Sequence, residues 1–125
     1  PVYVGASPKI VIAPLSKQRI QAYYQQFTQE LSQVGFAHDA DEFMQQMRTI
    51  KKQGFYLSQG EIDPMVCGLS VPIRFSNKEA PIALTLLASK NRFHFLNIQK
   101  LIEILQGNAA QIEHKFSTLS ESQGN

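Results

Sequence analysis

Three histidines, one cysteine and a pair of turn carboxylates are the side chains here with most scope for chemistry. His38, His94 and His114 are scattered along the chain, and none stands at metal-ligand spacing from another His or Cys. They read as surface or core-edge histidines. Cys67 sits in a β-rich run, where a free thiol packs like a small apolar residue, and no local motif marks it as a nucleophile. Glu61 and Asp63 could share acid–base work, but two carboxylates beside Gly60 are also what an ordinary polar turn looks like. Gly5, Gly35 and Gly54 fall singly at turns, with no phosphate-cradling loop or dinucleotide fingerprint. Tyr23, Tyr24 and Phe27 lack interleaved basic residues and read as core rather than as a base-stacking platform. The expectation is therefore a chain that is not an enzyme, with no catalytic residue, no metal ligand and no cofactor.

Positioning is the task of the remaining residues. The 125 residues suit one domain with a single core, and 43% apolar with 18% charged content lies in the globular range. Twelve basic against ten acidic residues leave +2, too little to argue for nucleic acid or an anionic membrane. A lone cysteine makes no internal disulfide and suits a reducing compartment, hence a cytoplasmic location. No run has the length of a membrane span, and the first residues do not form a signal peptide. The chain opens on Pro1 in what reads as extended chain, as though cut from something larger.

Val2 to Val4 is β-prone. Ser7 before Pro8 predicts an N-cap and a short helix through Ala13. Ser16 caps the next helix, in which Ile20, Tyr23, Tyr24, Phe27, Leu31 and Val34 keep helical spacing up to Gly35. Asp39 with Glu42 forms a capping box for a third helix, with Phe43, Met44, Met47 and Ile50 as its stripe and Gly54 as its stop. A strand follows over 55–58, then a β-rich run over 66–75, a loop over 76–79 and a returning strand over 80–87. Pro72 suits an edge or a bulge better than a central ladder. A last helix from about Asn97 turns Leu101, Ile102, Ile104, Leu105 and Ile112 inward, and residues 117–125 read as a frayed, disordered tail. Three helices, three strands and a helix predict an α+β fold over 1–116, with helices grouped around an antiparallel sheet.

Three stretches, in order, resemble one family. Pro1-Val2-Tyr3-Val4-Gly5-Ala6-Ser7-Pro8-Lys9-Ile10-Val11-Ile12-Ala13 is similar to the P-L-H-x-S/T-A/G-x-G-K-A-x-L-A segment of IclR-type transcriptional regulators. Residues 50–61, reading I-K-K-Q-G-F-Y-L-S-Q-G-E, resemble their I-R-x-x-G-Y-A-x-S-x-G-E. Gly68-Leu69-Ser70-Val71-Pro72-Ile73 and then Ile82-Ala83-Leu84-Thr85-Leu86 resemble G-I-A-V-P-V and A-A-L-S-L, and Arg92 stands at the arginine of P-x-x-R. The resemblance implies a GAF-like effector-binding domain that takes a small organic acid, forms a homodimer or homotetramer, and reaches DNA only through a winged helix-turn-helix outside this chain. It implies the C-terminal two thirds of that domain.

The family's pocket positions fall on Ala6, Ser7, Ser58, Gly68, Thr85 and Leu87. Ala6 and Ser7 also precede an expected helix start, where free backbone N–H groups attract an anion. Pro8 replaces the usual glycine and removes one such N–H. Gly68 and Leu87 stand where some members carry polar side chains, so the pocket is expected to be roomier at one wall and more apolar at another. Those departures point to an acid with an apolar or aromatic body. Two alternatives are a ligand-free oligomerisation module and a GAF- or PAS-like sensor unrelated to DNA.

Overall fold

The chain is described by a computed structural model, covering residues 6–61 and 63–123. The β-prone Val2 to Val4 segment lies outside the described residues. Elements follow in the order α1 (Ala6–Ile12), α2 (Lys17–Gln26), α3 (Thr28–Gln33), α4 (Ala40–Gln53), β1 (Tyr56–Gln59), β2 (Val66–Ile73), β3 (Ile82–Ser89), α5 (Lys90–His94) and α6 (Ile98–Gln123). The sheet is antiparallel in the order β1-β2-β3. An α+β fold is what the sequence predicts.

Local chemistry sets most boundaries. Ser16 Oγ accepts from the Arg19 amide and opens α2, and Asp39 Oδ1 accepts from the Glu42 amide at 2.7 Å to open α4. Glu42 reaches back, accepting from the His38 amide at 3.0 Å. Gly54 ends α4 at φ 75°, a left-handed conformation that favours glycine. The single helix expected over 17–34 is two. Phe27 leaves helical geometry at φ −116°, and Thr28 turns its hydroxyl back to the Tyr24 carbonyl at 2.6 Å, a bond that competes with the helical ladder.

The strand pairings sort side chains onto two faces, because alternate residues point to opposite sides. One face carries Leu57, Cys67, Leu69, Val71 and Ile73, which pack with Phe93, Ile102 and Ala109 of α5 and α6. The other carries Tyr56, Ser58, Gly68, Ser70, Ala83, Thr85 and Leu87, and α1 lies across it. Both faces of β2 are covered, which is why its sequence is buried almost throughout rather than at alternate positions. Behind α1 the largest core cluster joins Ile10, Ile20, Leu31, Phe36, Phe43, Met47 and Ile50, with Tyr23, Tyr24 and Phe27 packed on it. The aromatic stripe is core.

Three expectations are corrected here. Pro72 lies in the central strand, not an edge strand; it is tolerated because β1 ends at the Tyr56–Ser70 pair, two residues short of it. Ile104 is 51% exposed, since α6 presents Leu101, Ile102 and Leu105 to the sheet and Ile104 falls off that stripe. Residues 117–123 continue α6 rather than fraying, as Ser and Gln interrupt a helix less than Gly or Pro would. The short helix α5, capped by Ser89, is an element that the sequence reading leaves as loop.

Candidate functional site

Helix α1 turns Ala6, Lys9 and Ile10 inward, with Ala13 buried just past its end, so one charged residue occupies an otherwise apolar buried stripe. Its start corrects an expectation: Ala6 is already helical, so Ser7 is inside the first turn and does not cap it. Pro8 fits there because a first-turn N–H has no helical partner anyway. The Ser7 hydroxyl goes to the sheet instead. Ser7 Oγ lies 2.6 Å from Thr85 Oγ1, which lies 2.5 Å from Ser70 Oγ. Ser70 is fully buried and stands opposite both Thr85 and Tyr56 across the strands. A cross-strand row of hydroxyls therefore runs beneath α1.

The adjacent row on the same face is Ser58–Gly68–Leu87. Ser58 is buried at 4% exposure, whereas Leu87 is 61% exposed at the rim. A Cβ at Gly68 would lie 3.1 Å from Leu87 Cδ2 and 3.7 Å from the Ala6 Cβ. The extra room expected at Gly68 is thus filled by Leu87 and Ala6. The six positions implied by the resemblance lie together, Ser58, Gly68, Thr85 and Leu87 on one sheet face and Ala6 and Ser7 on α1 across it.

Beyond the Tyr56 end of the hydroxyl row stands a second polar group. The Lys9 ammonium, 3% exposed, pairs with Glu61 Oε1, and Tyr56 donates its hydroxyl to Glu61 Oε2 at 3.0 Å. The same ammonium lies 4.6 Å from the Phe36 ring centre and 5.3 Å from that of Tyr56. Burial lowers the Lys9 pKa, an effect its hydrogen bond and charge contact with Glu61 oppose. Burial, with the Glu61 charge, raises that of Tyr56. Glu61 is more than the ordinary turn carboxylate expected; Asp63 is one, accepting from the Met65 amide. Lys9, Tyr56, Glu61 and Ser70 are absent from the sequence-derived set. Lys9 carried a signal in the spacing Ala6, Lys9, Ile10, Ala13, and Glu61 one as half of the turn carboxylate pair with Asp63.

The other candidates stay apart. His38, His94 and His114 are exposed, and Cys67 is buried in β2. Among the described residues no cluster of His, Cys, Asp and Glu could hold a metal ion, and no helix is long and apolar enough to cross a membrane. A cleft of about 420 Å³ lies at the far end of the sheet, lined by Arg74, Phe75, Lys78, Ile82, Glu113 and Phe116. Its basic groups are exposed and Glu113 is engaged by the Arg74 amide, so it lacks the buried polar set found beneath α1.

Residues 1–114 match the family model of the bacterial transcriptional regulator IclR C-terminal domain. The chain belongs to that family. As an IclR C-terminal domain it superposes on transcriptional regulator YaiJ with TM-score 0.78 at 19% identity, over 92% of this chain and 65% of that one. The Agobacterium tumefaciens repressor BlcR gives TM-score 0.72 at 18% identity, over 92% and 47%. A double mutant of the PobR transcription factor inducer-binding domain from Acinetobacter, in complex with 3-hydroxybenzoic acid, gives 0.73 at 16%, over 90% and 65%. These likenesses concern the fold, and this IclR domain spans less than two thirds of the length of each. No curated protein matches the chain closely enough to count as a relative.

Proposed function

We propose that this chain binds a small carboxylic acid with an apolar or aromatic body on the sheet face beneath α1. It does so as the effector-sensing and self-associating part of a cytoplasmic IclR-type regulator, whose DNA contact is made by a separate helix-turn-helix module. The observation that carries the proposal is the hydroxyl row Ser7–Thr85–Ser70, half-buried at Ser7 and Thr85 and fully buried at Ser70. Hydroxyls both donate and accept, so they can turn from one another to a ligand without being left unpaired. Ala6, Gly68 and Leu87 supply the apolar wall, and Ser58 a further hydroxyl. The PobR domain of similar fold, bound to a hydroxybenzoic acid, supports the choice of ligand class.

Calorimetry tests this. 3-Hydroxybenzoate or benzoate is expected to bind more tightly than pyruvate or glyoxylate, and Thr85→Val to weaken the aromatic acids about tenfold by removing the middle of the row. Tighter binding of the keto acids would contradict the proposed ligand class. A second reading, assembly without a ligand, draws on Phe95, Leu96 and Ile104, which are 86%, 41% and 51% exposed. It is favoured if no acid gives heat and light scattering shows an oligomer that none of them alters.

A further inference from the structure

The Lys9–Glu61 pair carries an inference about how that face would take an acid, and it rests on the reading of the face as an effector site. Lys9 is, among the described residues, the one charged side chain that is buried. Its ammonium faces both the Phe36 and Tyr56 rings and lies against Glu61, and Tyr56 stands across the strands from Ser70, the last hydroxyl of the row with Thr85 and Ser7. Cation, ring faces and hydroxyls are the set that an aromatic acid with a polar substituent would use. The carboxylate that such an acid would bring to the ammonium is already supplied by the protein, as Glu61.

We propose that Glu61 is a resident stand-in for the ligand's carboxylate, and that an incoming acid exchanges with it for the Lys9 ammonium. Exchange leaves the number of buried charges unchanged, so the acid avoids the cost of adding an unpaired charge to the interior. Both carboxylates together would repel, so one must leave. Glu61 is the one able to: it lies in the turn between β1 and β2, and its side chain is already 14% exposed. Lys9 is fixed in the buried stripe of α1. The site then prefers acids to neutral isosteres, and the departing Glu61 passes the binding event to the turn.

The test compares benzoate with benzamide on the whole chain by calorimetry at mildly acidic pH. Glu61→Gln keeps the shape and removes the competing charge; it is expected to tighten benzoate about tenfold while leaving benzamide within about twofold. Tyr56→Phe, which only loosens Glu61, is expected to tighten benzoate by less. Benzoate bound by the wild-type chain but no more tightly by either variant would overturn the exchange and leave the effector site standing. Absence of binding of both probes to all three chains would overturn both.

Discussion

Phe43→Ala is expected to cost the domain about 4 kcal/mol of unfolding free energy, the range for deleting a fully buried ring. Phe43 is 0% exposed. Its ring lies 6.0 Å from Tyr23, 5.2 Å from Tyr24 and 5.8 Å from Phe36, so α2, α4 and the segment before α4 meet on it. The cavity left is bounded by elements tied down elsewhere, by the Asp39 cap and the Gly54 stop, and cannot collapse freely. Phe36 in turn contacts Tyr56 at 6.1 Å and the Lys9 ammonium, so the loss reaches the candidate site. Phe43→Leu, which keeps most of the volume, is expected to cost about 1.5 kcal/mol. Urea unfolding of the two variants checks the pair; a cost below about 1 kcal/mol for the alanine would mean that the ring is not the centre of this core.

Lys9→Met has the second largest expected effect, about 3 kcal/mol. Breaking a buried pair from one side leaves the other charge without its partner. The figure sits at the low end for such pairs because Glu61 keeps the Tyr56 hydroxyl and has some access to water. Lys9→Met with Glu61→Gln together is expected to recover more than half of the loss, since no unpaired charge then remains. A double variant no more stable than the single one would show that the two residues are not coupled. The lowered Lys9 pKa agrees with this ordering: burial disfavours the ammonium, and Glu61 offsets part of that penalty.

The features legible in the sequence are local ones. The Asp39 cap, the Phe43–Met44–Met47–Ile50 stripe and the Gly54 stop lie within one helix and need no distant partner. The six positions carried over by resemblance lie near one another, four through the register of the three strands and two because α1 lies across them. What escaped was decided at a distance or by a single side chain. Lys9 and Glu61 are 52 residues apart, and Ser7 and Thr85 are 78 apart. Nothing near Ser7 says that its hydroxyl answers to Thr85 rather than to its own helix end. The break at Phe27 turns on the Thr28 hydroxyl, and the short α5 has too few residues to show a period.

The proposed ligand face is the one beneath α1 and not the cleft beside Arg74 and Phe116. Amide chemical-shift mapping on the 15N-labelled chain, titrated with 3-hydroxybenzoate, addresses it directly. The expected result is that saturable shifts concentrate at Ala6, Ser7, Tyr56, Ser58, Gly68, Ser70 and Thr85. Shifts confined to Arg74, Phe75, Lys78 and Phe116, with the α1 face unmoved, would contradict it.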